Sequence, residues 1–141
     1  MKASYGSWKS PVQADLLATA GVTLSSPWIE GQDAYWLEGR PLEKGRVALV
    51  HRSPDGNIHD LLPTEFNIRT TVHEYGGGSS LVHRDSDYFT NYRDQGIYRG
   101  HTLGGEPTLL FQENGLRYAD YAASEESELL FAVEEDHRSG E

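Results

Sequence analysis

No cysteine occurs among the 141 residues, which removes disulfides, thiolate nucleophiles and sulfur-ligated metals together and suits a cytoplasmic protein. Basic residues are scarce as well. Twelve Lys and Arg stand against 22 Asp and Glu, a formal net charge of -10, and no Lys/Arg cluster is present. A nucleic-acid or anionic-membrane surface needs a concentrated basic patch, so neither partner is expected. Long apolar runs are missing too. Leu16 to Leu24 comes nearest, but Asp15 adjoins it and Thr19, Gly21 and Thr23 interrupt it, so it fails as a signal peptide or membrane span. The expectation is a soluble, unexported chain.

What is present fits one globular domain with a core: 37% hydrophobic and 24% charged residues. Ser10-Pro11 followed by Val12, Leu16 and Leu17 predicts a short helix, with Ser10 as N-cap, Pro11 at the first helical position and Gly21 as the stop. Nothing later has helical periodicity. From Pro27 onward, short apolar runs are separated by Gly, Asp, Asn and Pro, the punctuation of an all-β chain. Four antiparallel strands are predicted at Pro27–Ile29, Ala34–Glu38, Arg46–Arg52 and Ile58–Leu62. Four more follow at Ser80–His83, Tyr88–Asn91, Ile97–Arg99 and Thr108–Phe111, then two at Tyr118–Ala123 and Glu128–Val133. Four strands per unit, repeating every ~40 to 50 residues, is the signature of propeller blades. The fold class is therefore all-β, a partial β-propeller of about two and a half four-stranded blades. It is divided into an N-terminal segment with its helix (1–26) and an incomplete propeller (27–141), the blades lying near 27–62, 80–111 and 118–141.

Between the first two sets lies Asn67-Ile68-Arg69-Thr70-Thr71-Val72-His73-Glu74-Tyr75-Gly76-Gly77-Gly78. Three consecutive glycines supply no side chain to pack, so the segment needs positive φ angles or the close approach of another group. A phosphate cradle would require a helix N-terminus after the glycines, and a strand follows instead. His73-Glu74 lacks the second histidine that a helical zinc motif places one turn on, because position 77 is glycine. The six histidines at 51, 59, 73, 83, 101 and 137 show no ligand spacing, so no metal and no cofactor is expected. His51, His59 and His83 read as surface or cross-strand residues, and Asp136-His137 as a turn. The late acidic stretch of Glu125, Glu126, Glu128, Glu134, Glu135 and Asp136 reads as a solvated strand edge.

A set of segments, in order across nearly the whole chain, resembles the extreme N-terminus of prolyl oligopeptidase family serine peptidases of the dipeptidyl-aminopeptidase and acylaminoacyl-peptidase kind. They are Tyr5-Gly6-Ser7-Trp8-Lys9-Ser10-Pro11, Tyr35-Trp36-Leu37-Glu38-Gly39-Arg40-Pro41, Phe66-Asn67-Ile68-Arg69, Val72-His73-Glu74-Tyr75-Gly76-Gly77-Gly78, Asp94-Gln95, Arg117-Tyr118-Ala119-Asp120 and Glu134-Glu135-Asp136-His137. The resemblance implies an N-terminal propeller paired with a C-terminal α/β-hydrolase domain that carries a Ser-Asp-His triad. It also implies that this chain, ending after about two and a half blades, is a fragment without that domain.

No Gly-x-Ser-x-Gly elbow occurs. Gly77-Gly78-Ser79-Ser80-Leu81 comes nearest and lacks the closing glycine, so no catalytic residue is assigned and the chain alone is expected to be inactive. What remains is recognition of short peptides. A carboxylate can hold a free α-amino group and an Arg can pair with a carbonyl or carboxylate. Glu74 suits the first role, Arg69 the second, and Tyr75 can supply a ring wall or hydroxyl donor. The structural alternative is that Glu74 and Arg69 pair with each other or with neighbouring blades to brace a long crossover. The aromatics Trp28, Tyr35, Trp36, Tyr88, Phe89 and Phe131 are expected to pack between blades. A stand-alone binding or assembly module, self-associating through open blade edges, is the competing reading.

Overall fold

The computed structural model describes residues 21–124 and 126–138. The helix expected between Ser10 and Gly21 lies outside the described residues. Within them the polypeptide follows the alternating pattern into ten strands. Four form an antiparallel meander, β1 (Thr23–Glu30), β2 (Asp33–Arg40), β3 (Arg46–Arg52) and β4 (Ile58–Asp60), in that spatial order. Four more repeat it: β5 (Ser80–His83), β6 (Ser86–Thr90), β7 (Ile97–His101) and β8 (Thr108–Phe111). A third sheet pairs β9 (Leu116–Ala123) with β10 (Leu130–Asp136). The architecture is that of a partial propeller. A single 3-10 turn at Pro41–Glu43 interrupts it, where the sequence suggested only a loop.

Period-two alternation decides which side chains enter the core. On β2, Tyr35 and Leu37 face inward and are buried, whereas Trp36 turns to the other face and donates from Nε1 to Glu38 Oε1 at 2.9 Å. Tyr35, Leu37, Leu49, Leu61, Leu62, Phe66, Ile68, Val82 and Phe89 form one cluster between the first and second sheets, with Trp28 and Tyr98 at its margin. Phe89 is fully buried, with Phe66 edge-on to it at 5.5 Å and Tyr98 stacked on it at 5.5 Å. A second cluster, Ile97, Leu116, Tyr118 and Tyr121, joins the second sheet to the third. There Thr90 Oγ1 donates to the Tyr118 carbonyl at 2.9 Å and meets the Tyr121 hydroxyl, whose pKa burial pushes up to about 12. Each large apolar side chain so buried contributes roughly 1.5–3 kcal/mol.

Three of the six aromatics expected in the core are not there. Tyr88, next to Phe89 on β6, points to the opposite face, where the Arg99 guanidinium lies over its ring at 6.0 Å. Trp36 occupies the outer face just described. Phe131 is 57% exposed, because β10 is an edge strand and no further described sheet covers its face. His51 and His59 are a cross-strand pair, in register on β3 and β4 with their rings edge-on at 5.0 Å. On its other side His51 stacks on Tyr35, and its Nε2 lies 2.6 Å from Asp33 Oδ1.

The polar exceptions differ in kind. Asp60 bridges two cations: Arg40 binds it through both terminal nitrogens at 2.7 and 2.6 Å, and Arg46 Nη2 donates to it at 2.7 Å. Burial pushes the Asp60 carboxyl upward, but these two guanidiniums outweigh it and hold its pKa below the ordinary value. Asp87 on β6 has the opposite environment. It is fully buried, its two oxygens have no hydrogen-bond partner among the described residues, and burial raises its pKa to about 6. It sits over Gly100, its partner on β7, where any Cβ would come within 2.5 Å of a carboxylate oxygen.

Candidate functional site

The segment from Asn67 to Gly78 connects the first sheet to the second, and its first part is stitched between them. Ile68 N donates to the Val47 carbonyl at 2.9 Å on one side, and Arg69 N donates to the Thr90 carbonyl at 3.2 Å on the other. Asn67 Oδ1 accepts from Val47 N at 2.9 Å, while Asn67 N donates to Asn91 Oδ1 at 3.2 Å. Ile68, 1% exposed, plugs the cluster beneath. A β-type residue at 68 between polar neighbours thus acts as a strand fragment, bridged to Asn91.

Beyond Arg69 the backbone curls. Val72, fully buried, anchors the curl, and Glu74 N and Gly76 N donate back to the carbonyls of Thr71 and Val72 at 3.0 and 2.9 Å. His73 and Glu74 take left-handed φ values of 53° and 62°, followed by Gly76 at 88°. Two consecutive non-glycine residues in that region need outside support. It comes from both later sheets. Gln95 Oε1 accepts from Thr71 N at 2.9 Å and from Thr71 Oγ1 at 3.0 Å. Arg117 Nη1 on β9 donates to the Thr71 carbonyl at 3.0 Å, and Glu135 Oε2 on β10 accepts from His73 N at 3.0 Å.

The glycines allow close approach to β9. A Cβ on Gly77 would lie 2.9 Å from Ala119 Cβ, and one on Gly78 would lie 2.9 Å from Asp120 Oδ1. Gly78 and Asp120 are paired in both directions: Gly78 N donates to Asp120 Oδ1 at 2.7 Å, and Asp120 N donates to the Gly78 carbonyl at 2.8 Å. The segment therefore links the first blade not only to the second but also to the third.

Arg69 and Tyr75 line one hollow of about 330 Å³, together with Thr70, Gly76, Gly77, Ser79 and the bulged turn at Ser25-Ser26 of β1. The Arg69 guanidinium lies over the Tyr92 ring at 5.0 Å. Tyr75 is 96% exposed. Glu74 is exposed and does not line the hollow; among the described residues it makes no ion pair, and Arg69 and Glu74 are not partnered with each other. Two of the three candidate residues thus share a cavity, and the third stands on the crest beside it. Ser79, in the pentapeptide nearest to a nucleophile elbow, is buried and spends its hydroxyl on the Ile68 carbonyl at 3.2 Å. Among the described residues no group of three or more His, Cys, Asp or Glu is arranged to hold a metal ion. No helix among them is long and apolar enough to cross a membrane.

Neither a family model nor a curated relative matches the chain. Solved structures do. A Mycobacterium tuberculosis puromycin-hydrolyzing peptidase superposes over 95% of this chain with a TM-score of 0.83 and 38% sequence identity. A puromycin hydrolase superposes over 88% of it with a TM-score of 0.73 and 32% identity. The chain is thus similar to the N-terminal propeller region of prolyl oligopeptidase family peptidases. It spans 22% and 21% of those two chains.

Two residues make contacts that spacing alone does not indicate. Glu135 and His137 were read as a solvated edge and a turn; instead Glu135 contacts His137 Nε2 at 2.8 Å as well as the loop. The hydrogen bond from His137 is the main cause that holds the Glu135 carboxyl below the ordinary glutamate range, reinforced by the His73 amide. The sequence signal is alternation: in Glu134-Glu135-Asp136 the middle side chain points to the face opposite its two acidic neighbours.

Proposed function

We propose that this chain is the substrate-facing first part of the propeller of a cytoplasmic serine peptidase that acts on short peptides. It serves as gate and recognition scaffold for a Ser-Asp-His centre on a C-terminal α/β-hydrolase domain. The observation that carries this reading is the braced loop, which presents Arg69 and Tyr75 around a polar hollow and leaves the Glu74 carboxylate exposed beside it, without an ion pair among the described residues. Glu74 would receive a peptide's α-amino group and Arg69 a carbonyl or carboxylate, and Tyr75 would wall the path. Likeness to puromycin-hydrolysing peptidases supports the peptidase frame. Absence of cysteine supports a reducing compartment.

Backbone NMR of the 141-residue chain titrated with trialanine, and separately with N-acetyl-trialanine, tests the reading. Trialanine is expected to shift amides between Arg69 and Gly78 and to bind roughly tenfold or more tighter than the acetylated form, the worth of one charge-assisted hydrogen bond. Glu74→Ala is expected to abolish that preference and Arg69→Ala to weaken both ligands. Equal affinities in the unmodified chain, or variants without effect, would return all three residues to a bracing role.

A second reading has its own observation. Leu129, Phe131 and Val133 are exposed on or beside β10, an edge strand of a two-stranded sheet. Self-association through open blade edges would cover them. Sedimentation of the chain across a concentration series tests it, and a monomer throughout would exclude it.

A further inference from the structure

Glu135 has more donors than a solvated edge carboxylate needs. Its Oε2 accepts from His73 N at 3.0 Å and lies 2.8 Å from His137 Nε2 and 3.8 Å from Arg117 Nη1, and its Oε1 lies 3.5 Å from His73 Nδ1. Its side chain is 24% exposed. The groups that face it are thus Arg117 from β9, His137 from the end of β10 and His73 from the loop. Arg117 also reaches past it to the Thr71 carbonyl.

The contact falls at the loop's left-handed bend. His73 is the first of two successive non-glycine residues with left-handed φ, and its amide is the donor that Glu135 takes up. The next residue is Glu74, whose direction is set by that backbone. The other side chains that hold the loop backbone, Asn91 at Asn67, Gln95 and Arg117 at Thr71 and Asp120 at Gly78, act before or after this bend, and at His73 itself Glu135 is the acceptor.

We propose that Glu135 is a positioning residue that clasps the His73 amide from the third sheet and so fixes the left-handed bend that turns Glu74 outward to meet a peptide's amino group. The second half of this inference rests on the role given to Glu74 above; the clasp does not. It makes β10 part of the recognition apparatus although Glu135 touches no ligand.

Hydrogen exchange of the intact chain, followed by NMR for Glu135→Ala and Glu135→Gln, separates the two. In Glu135→Ala the His73 amide and its neighbours through Gly76 exchange at least roughly tenfold faster, while amides of β9 and β10 keep their rates. Glu135→Gln retains an acceptor oxygen and restores most of the protection. An unchanged His73 rate in the alanine variant, or acceleration spread evenly over β9 and β10, overturns the clasp. With the bend released, the preference for trialanine over N-acetyl-trialanine falls roughly as far as it does in Glu74→Ala. A preference kept in Glu135→Ala but lost in Glu74→Ala overturns the positioning role. A preference that Glu74→Ala leaves intact refutes the reading of Glu74, and the clasp is then judged on His73 exchange alone.

Discussion

Asp87 gives the sharpest quantitative handle on how the first two sheets meet. Its carboxyl is fully buried without a hydrogen-bond partner among the described residues, and its pKa rises from 3.8 to about 6 because burial penalises the charged form. The sign follows from linkage. A carboxyl with a raised folded pKa holds its proton more tightly when folded, so its ionisation destabilises the fold as pH rises from about 4 to above 6. A shift of roughly two pH units corresponds to about 3 kcal/mol at pH 7.5, against about 0.5 kcal/mol at pH 4, where the group is mostly protonated in the folded chain. Asp87→Asn keeps the shape and removes the charge. Urea denaturation of both chains at the two pH values should show the variant gaining stability relative to its parent by roughly 2–2.5 kcal/mol between pH 4 and pH 7.5. The difference between chains, rather than either curve alone, is the readout, because Asp60, Glu135 and Asp136 titrate with depressed pKa values and pull the other way. A stability difference independent of pH would refute the reasoning, since it would mean that the Asp87 charge is compensated in the folded protein.

Gly78→Ala places a Cβ 2.9 Å from Asp120 Oδ1 and threatens the two-way hydrogen bond between those residues; a loss of about 1–3 kcal/mol is expected in thermal or urea unfolding, and an unchanged midpoint would show that the loop can move off β9 at no cost. Asp60→Asn weakens a bidentate pair to Arg40 and a further bond to Arg46, whose side chain is 8% exposed. Because the Asp60 pKa is depressed, its contribution is present above pH 4 and is lost as pH falls through its folded value. The variant should therefore be destabilised by about 1–3 kcal/mol at pH 7 and by less near pH 3, which denaturation at both values measures.

The sheets were legible because alternation and turn chemistry act locally. Arg46–Arg52, Ser80–His83 and Thr108–Phe111 are strands over the ranges read from pattern alone. β1, by contrast, begins at Thr23, four residues before the Pro27 start read from sequence: the bulge between Ser25 and Trp28 breaks the alternation there, and pairing with β2 carries the strand past it. Trp36 shows the limit of reading hydrophobicity without register. It looks like core, yet it adjoins Tyr35 and therefore faces the opposite side, where Glu38 accepts from its indole N–H and is itself held by Arg40. Phe131 needed a sheet to cover it, and no local signal says whether one is there. The loop was marked by its glycines, but their partner, Ala119-Asp120, lies about 42 residues away in sequence, and Glu135 lies 62 from His73. Contacts at that separation leave no periodic trace.

The way the loop is held bears on what it can do. Four of its backbone N–H groups, at Asn67, Thr71, His73 and Gly78, are taken by side chains of Asn91, Gln95, Glu135 and Asp120, which belong to the second and third sheets or the turns beside them. Side-chain acceptors from outside the segment do the work that a regular strand leaves to backbone carbonyls, so the segment keeps an irregular path without burying unsatisfied donors. With its donors turned into the protein and Val72 buried as an anchor, the loop is left to present its side chains at 73–75 to the outside. Its conformation is thus set by the sheets before any ligand arrives. On the reading that Glu74 accepts a peptide's amino group, binding then carries little ordering cost for the loop backbone, and affinity is governed by desolvation of one carboxylate and one guanidinium. The same arrangement ties recognition to sheet packing: a substitution that separates the third sheet from the second removes Glu135 and Asp120 from the loop and alters peptide preference without touching Arg69, Glu74 or Tyr75.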